Sequence, residues 1–133
     1  MTTNELVSFT HKYSIVPAKV TILYKKKASM NELYKASIVD YPILLQMEAP
    51  DNTEMAFVFK NELDNNIFLF IDDDLTLSTI AHECVHIVSE IFKYIRSPMN
   101  ESTEEFFAYL LDYTFEQIVL HCKETLKLKL KLK

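Results

Sequence analysis

The 133 residues of this chain include no glycine. Glycine ordinarily supplies positive φ at tight turns and helix ends without steric cost, so here residues bearing a Cβ must take those positions. Asn and Asp are the expected substitutes. Pro50-Asp51-Asn52-Thr53 and Asp64-Asn65-Asn66 are the turns they predict.

Between such breaks, Lys19 to Tyr24, Ser37 to Met47, Glu54 to Lys60 and Ile67 to Ile71 are short runs rich in β-branched and aromatic residues, which read as four strands. Pro42 in the second run cannot donate to a ladder, so that strand is expected at an edge or interrupted. Ser29 to Ala36 reads equally as a short helix or a loop. From Leu75 to Ile95 the period changes. Leu77, Ile80, Ala81, Cys84, Val85, Val88, Ile91, Phe92 and Ile95 have the three-four spacing of a largely buried helix, 75–95. Asp72, Asp73 and Asp74 precede it, where an N-cap and negative charge are favourable. After Ser97-Pro98-Met99-Asn100 a second helix is predicted over 102–125, with Ser102 and Glu105 as a capping box. A small, mostly antiparallel sheet followed by two helices makes an α+β fold, expected as one domain over 1–125.

The apolar fraction of 49% can fill one core, and a net charge of -5 with pI near 5.3 argues against nucleic-acid binding, which uses excess Lys and Arg. No run of 18 apolar residues and no leader pattern in Met1 to Val16 appear, so neither a membrane span nor secretion is expected. Cys84 and Cys122 have no paired spacing and read as reduced thiols. Residues 126–133 alternate Leu and Lys with period two. They read either as an arm that adds to a sheet, this protein's or a partner's, or as a frayed or disordered tail.

The chemistry concentrates in His82-Glu83-Cys84-Val85-His86. Chance alone gives about 0.01 such HExxH strings in a chain of this composition, so the motif is informative. Two imidazoles four residues apart share one helical face and can share one zinc ion, and the intervening Glu83 can take a proton from water and return it to a leaving amine. Two histidines can also be satisfied core side chains, but burying them with a carboxylate and no metal would be costly. A third protein ligand is needed, and Glu101, Glu104 and Glu105 are the candidates. Glu105 heads a polar stripe with Tyr109, Asp112 and Glu116, whereas Glu104 is in line with Ala108, Leu111 and Phe115. Spacing alone leaves both open.

Thr79-Ile80-Ala81-His82-Glu83-Cys84-Val85-His86-Ile87-Val88, followed by Glu104-Glu105-Phe106-Phe107-Ala108-Tyr109-Leu110, resembles a family of small phage-type proteins with a gluzincin-like HExxH metallopeptidase signature. The resemblance covers about residues 67–115. Phe106 stands where that family usually has Ala, and Asp112 where Gly is common. It implies a minimal zincin-like fold, His82, His86 and Glu105 as zinc ligands, Glu83 as general base, and Tyr109 on the face of Glu105. Tyr109 would then either stabilise a tetrahedral intermediate or hydrogen-bond a ligand. Two functions follow as expectations, and a toxin or anti-defence effector that uses the same metal chemistry on one host protein is a variant the sequence does not separate from the first. One is zinc-dependent peptide hydrolysis, with Ile67 to Ile71 bordering the cleft and a peptide or protein as substrate. The other is a non-catalytic virion or assembly component with a structural or vestigial zinc site, docked on a phage partner through 126–133. The expected location is the cytoplasm of an infected bacterial host, or the virion.

Overall fold

The computed structural model describes residues 5–61 and 64–133, so residues 1–4, 62 and 63 of the expected domain lie outside the described residues. The fold is α+β, as expected. Among the described residues its four strands are β1 (Leu6–Lys12), β2 (Lys19–Lys25), β3 (Ala56–Lys60) and β4 (Asn66–Ile71), and its helices are α1 (Met30–Asp40), α2 (Leu77–Tyr94) and α3 (Glu104–Leu120). The sheet order is β1-β2-β4-β3, with β2 parallel to β4 and the other two pairings antiparallel.

β4 is buried throughout, and its alternation divides the core. Ile67, Leu69 and Ile71 face α2 and α3 together with Ile80, Ile87, Ile91 and Leu110, while Phe68 and Phe70 face α1 with Leu23, Met30, Leu33 and Leu44. The sheet is therefore a middle layer, with α1 on one side and the α2–α3 hairpin on the other.

Several sequence expectations change. Ser37 to Met47 is not a strand: it is the end of α1 followed by a 3-10 turn over Pro42–Gln46. The cause is a capping box at Ser29, whose hydroxyl accepts from the Glu32 amide while Glu32 accepts from the Ser29 amide, and Met30, Leu33, Tyr34 and Ser37 then bury one helical face. Ser102 does not cap α3. Its hydroxyl and amide both bond Asn100 Oδ1, and the helix begins after Thr103. β1 was absent from the expected strands. It is an edge strand whose residues are mostly half-buried or exposed, so little apolar alternation marks it.

Helix α2 matches its expected span closely, but its N-cap is Thr76, whose side chain accepts from the Thr79 amide at 3.1 Å. The aspartates before it do other work: Asp73 accepts from the Tyr24 hydroxyl and from the Lys27 amide, and Asp72 accepts from the Asp74 amide. After α3 the chain continues as a π turn over His121–Thr125, which completes the expected helical length.

Positive φ occurs at Lys27, Asn65, Arg96 and Lys127. Asn65 is the substitute foreseen for glycine, but the other three are cationic side chains. Both cysteines are buried free thiols, and burial pushes each up to about 12. Among the described residues, no helix is long and apolar enough to cross a membrane.

The Leu-Lys tail is neither a sheet-edge strand nor a free end. It forms one parallel bridge, Lys131 to Thr76, and its carbonyls cap the first turn of α2. Lys131 O accepts from the Leu77 amide at 2.8 Å, and Leu132 O accepts from the Ser78 amide at 3.1 Å and the Ser78 hydroxyl at 2.6 Å. Leu126, Leu128 and Leu130 pack on the core.

Candidate metal centre

Helix α2 lies across the sheet near β3, and its faces present different chemistry. Ile80, Cys84, Ile87, Val88 and Ile91 are buried in the core. His82 and His86 project from the exposed flank, and Glu83 and Glu90 lie between, both buried.

The two histidines converge, with His82 Nε2 and His86 Nε2 3.2 Å apart and their rings edge to face. Two nitrogens bound tetrahedrally to one zinc at about 2.05 Å would stand ~3.3 Å apart, so this separation fits a shared ion. Burial holds the His86 imidazole below its usual range, reinforced by the charges of His82 and Lys60, which favours the neutral form a metal requires.

Glu83 is 8% exposed. Burial raises its carboxyl above the ordinary range. The neighbouring His82 lowers it in part, and Glu54 raises it again. A carboxylate raised in this way is a stronger base than an ordinary glutamate.

These three residues line a cleft of about 290 Å³ with Glu54, Ala56, Phe57, Val58 and Lys60. A neighbouring recess of about 350 Å³ continues past His82 and Glu83 to Thr53, Met55, Ser78 and Thr79. The strand bordering the cleft is therefore β3, not the expected Ile67 to Ile71. That segment is β4, which is paired on both sides and has no free edge.

Of the predicted site residues, the structure brings together His82, Glu83 and His86. Glu101, Glu104, Glu105 and Tyr109 are exposed, and none lines either recess. Glu105 lies in the first turn of α3, where Phe106 and Phe107 pack on Phe92. Phe92 is six residues beyond His86, roughly 9 Å along the helix axis. Tyr109 is 54% exposed and stacks on Tyr113, whose hydroxyl bonds His11 of β1 at 2.7 Å, and β1 is the opposite sheet edge from β3. Among the described residues, no three His, Cys, Asp or Glu side chains stand close enough to hold a metal.

Two contributors were not foreseen. Glu54 lines both recesses, and Lys60 stands at the far end of the cleft, 3.9 Å from Glu90. No local sequence signal marks either, because their proximity to α2 comes from the β3–β4 hairpin. In comparison with known proteins, no family, curated protein or solved structure matches this chain.

Proposed function

We propose that this chain is a zinc-dependent hydrolase of peptide bonds, with His82 and His86 as ligands and Glu83 as the general base. The observation that carries the reading is the convergence of the two Nε2 atoms at 3.2 Å, beside a buried carboxylate in a cleft walled by a strand whose outer edge is unpaired among the described residues. Zinc, when bound, would polarise the scissile carbonyl and acidify water. Glu83 would take the proton from the attacking water and deliver it to the departing amine, a transfer favoured by its raised carboxyl. β3 would hold the substrate in extended form by main-chain pairing.

The third protein ligand is assigned to Glu105 on the resemblance alone. Zinc content in Glu105→Gln tests the assignment, and Glu54→Gln, which alters the exposed carboxylate at the end of the cleft, should leave zinc content unchanged. The test of mechanism is Glu83→Gln. Zinc content should be retained while cleavage of a peptide substrate falls by at least about 100-fold. Cleavage unchanged by this substitution would defeat the proposal.

A second reading, a non-catalytic virion or assembly component with a structural or vestigial zinc site, is favoured by one observation: no third ligand side chain stands beside the histidines among the described residues. It predicts that His82→Ala lowers stability or assembly while Glu83→Gln changes neither. Its docking arm would have to leave α2, since Lys131 and Leu132 are bonded there.

A further inference from the structure

The outer edge of β3, unpaired among the described residues, and the charges of Glu54 before it and Lys60 at its end point to a particular kind of peptide. The Met55 carbonyl accepts from the Asp72 amide at 3.0 Å, and with the register Ala56 to Ile71 this fixes which residues bond inward. In an antiparallel ladder the inward residues alternate, so Met55, Phe57 and Phe59 bond β4, and Val58 and Lys60 turn their N–H and C=O groups to the unpaired edge. Ala56 has the same parity but is buried.

Side chains alternate in step. Ala56 and Val58 pack in the α2–α3 core and Lys60 reaches toward Glu90 of α2, so the even-numbered positions face the helix that carries His82, Glu83 and His86. Glu54, just before the strand, lies at the other end of the same cleft. Apart from His82, Glu83 and His86, these two are the charged residues that line it among the described residues, one of each sign.

Both are available to a ligand. Glu54 is exposed, and no described cation pairs with it. Lys60 is about half exposed at the side chain and holds Glu90 only at 3.9 Å, while Lys93 stands nearer to the same oxygen, at 3.6 Å. Lys60 can turn outward without leaving Glu90 unneutralised.

We infer that this cleft selects an extended peptide lying antiparallel to β3, with an acidic side chain facing Lys60 and a basic side chain facing Glu54 six positions later. Six extended residues span about 20 Å, and positions separated by an even number share a face, so both peptide charges would point toward α2. The antiparallel direction follows from its slightly greater stability per residue. As a statement about substrate this rests on the hydrolase reading; as a statement about binding it stands on the cleft alone.

The test uses the full chain carrying Glu83→Gln, so that peptides remain intact, and fluorescein-labelled nonapeptides of alternating Val and Thr. One has Glu second and Lys eighth, and the other has the two exchanged. Fluorescence anisotropy should show the Glu-first peptide binding about tenfold more tightly, because two cross-strand pairs change from repulsive to attractive. The difference should shrink in high salt, as expected for exposed charges. Adding the exposed charge reversals Glu54→Lys and Lys60→Glu together, with folding checked by circular dichroism, should invert the preference. Equal binding of the two peptides, or binding of neither, would overturn the inference, and a preference for the Lys-first peptide would overturn the antiparallel assignment. Selective binding without cleavage by the zinc-loaded wild type would sink the hydrolase reading and leave this one standing. Cleavage with no preference for charge order would do the reverse.

Discussion

Arg96 ends the helix that carries the site, and it does so in a conformation that glycine would adopt without cost. Its φ is 55°, its amide bonds the Lys93 carbonyl at 3.1 Å, and the next amide, of Ser97, bonds the Phe92 carbonyl at 2.9 Å. These are the paired bonds of a Schellman termination, in which the left-handed residue is usually glycine. An L-residue there costs about 1–2 kcal/mol, whereas glycine loses an additional ~0.5–1 kcal/mol of chain entropy on folding. Arg96→Gly should therefore stabilise the protein by about 0.5–1 kcal/mol. With an unfolding entropy of about 2.1 cal/mol/K per residue, or roughly 0.28 kcal/mol/K for the whole chain, Tm should rise by about 2–4 °C. The Arg96 side chain is exposed, so Arg96→Ala, which keeps the strain, should leave Tm nearly unchanged. Urea unfolding should show the same order with no change in slope. Should Arg96→Gly prove no more stable than Arg96→Ala, the argument from left-handed strain is wrong.

Two further outcomes follow from the segments that frame α2. Burial pushes the Asp72 carboxyl up to about 6 from its ordinary 3.8, so the fold favours its protonated form. That contribution is fully present below about pH 4 and is lost as pH rises through 6, and after discounting for solvent screening it amounts to about 1 kcal/mol. The Tm of Asp72→Asn minus that of wild type should therefore increase between pH 4 and 7, and a flat difference would contradict the assignment. Removing residues 131–133 uncaps the Leu77 and Ser78 amides, whose hydrogen exchange should accelerate at least about tenfold while Ile87 and Ile91 stay protected. Unchanged exchange at Leu77 and Ser78 would mean that the tail does not hold the helix in solution.

The elements that the sequence made legible are those whose burial imposes a strong local period. Helix α2 has an apolar stripe repeated over five turns, and β4 is apolar without interruption because both its faces are covered. Helix α1 was obscured because Ser37 to Tyr41 shares an apolar, β-branched composition with the strands, while the capping box that fixes it lies eight residues upstream at Ser29. β1 exposes Phe9 at 38% and carries little pattern. At the site, His82, Glu83 and His86 were legible because one helix fixes all three. The rest of the cleft depends on tertiary placement. Glu54 and Lys60 reach it from a strand in mid-sequence, and the local spacing that singled out Glu105 carries no information about how α3 lies against α2.

The central claim, that His82 and His86 form a zinc site, is tested most directly by metal content per chain, measured by elemental analysis on protein purified without chelator. The account predicts about one zinc in the wild type and none in His82→Ala, with binding weakened in Glu105→Gln. Wild-type protein that holds no zinc even after the metal is added back would contradict it and leave the converging imidazoles as a hydrogen-bonded pair.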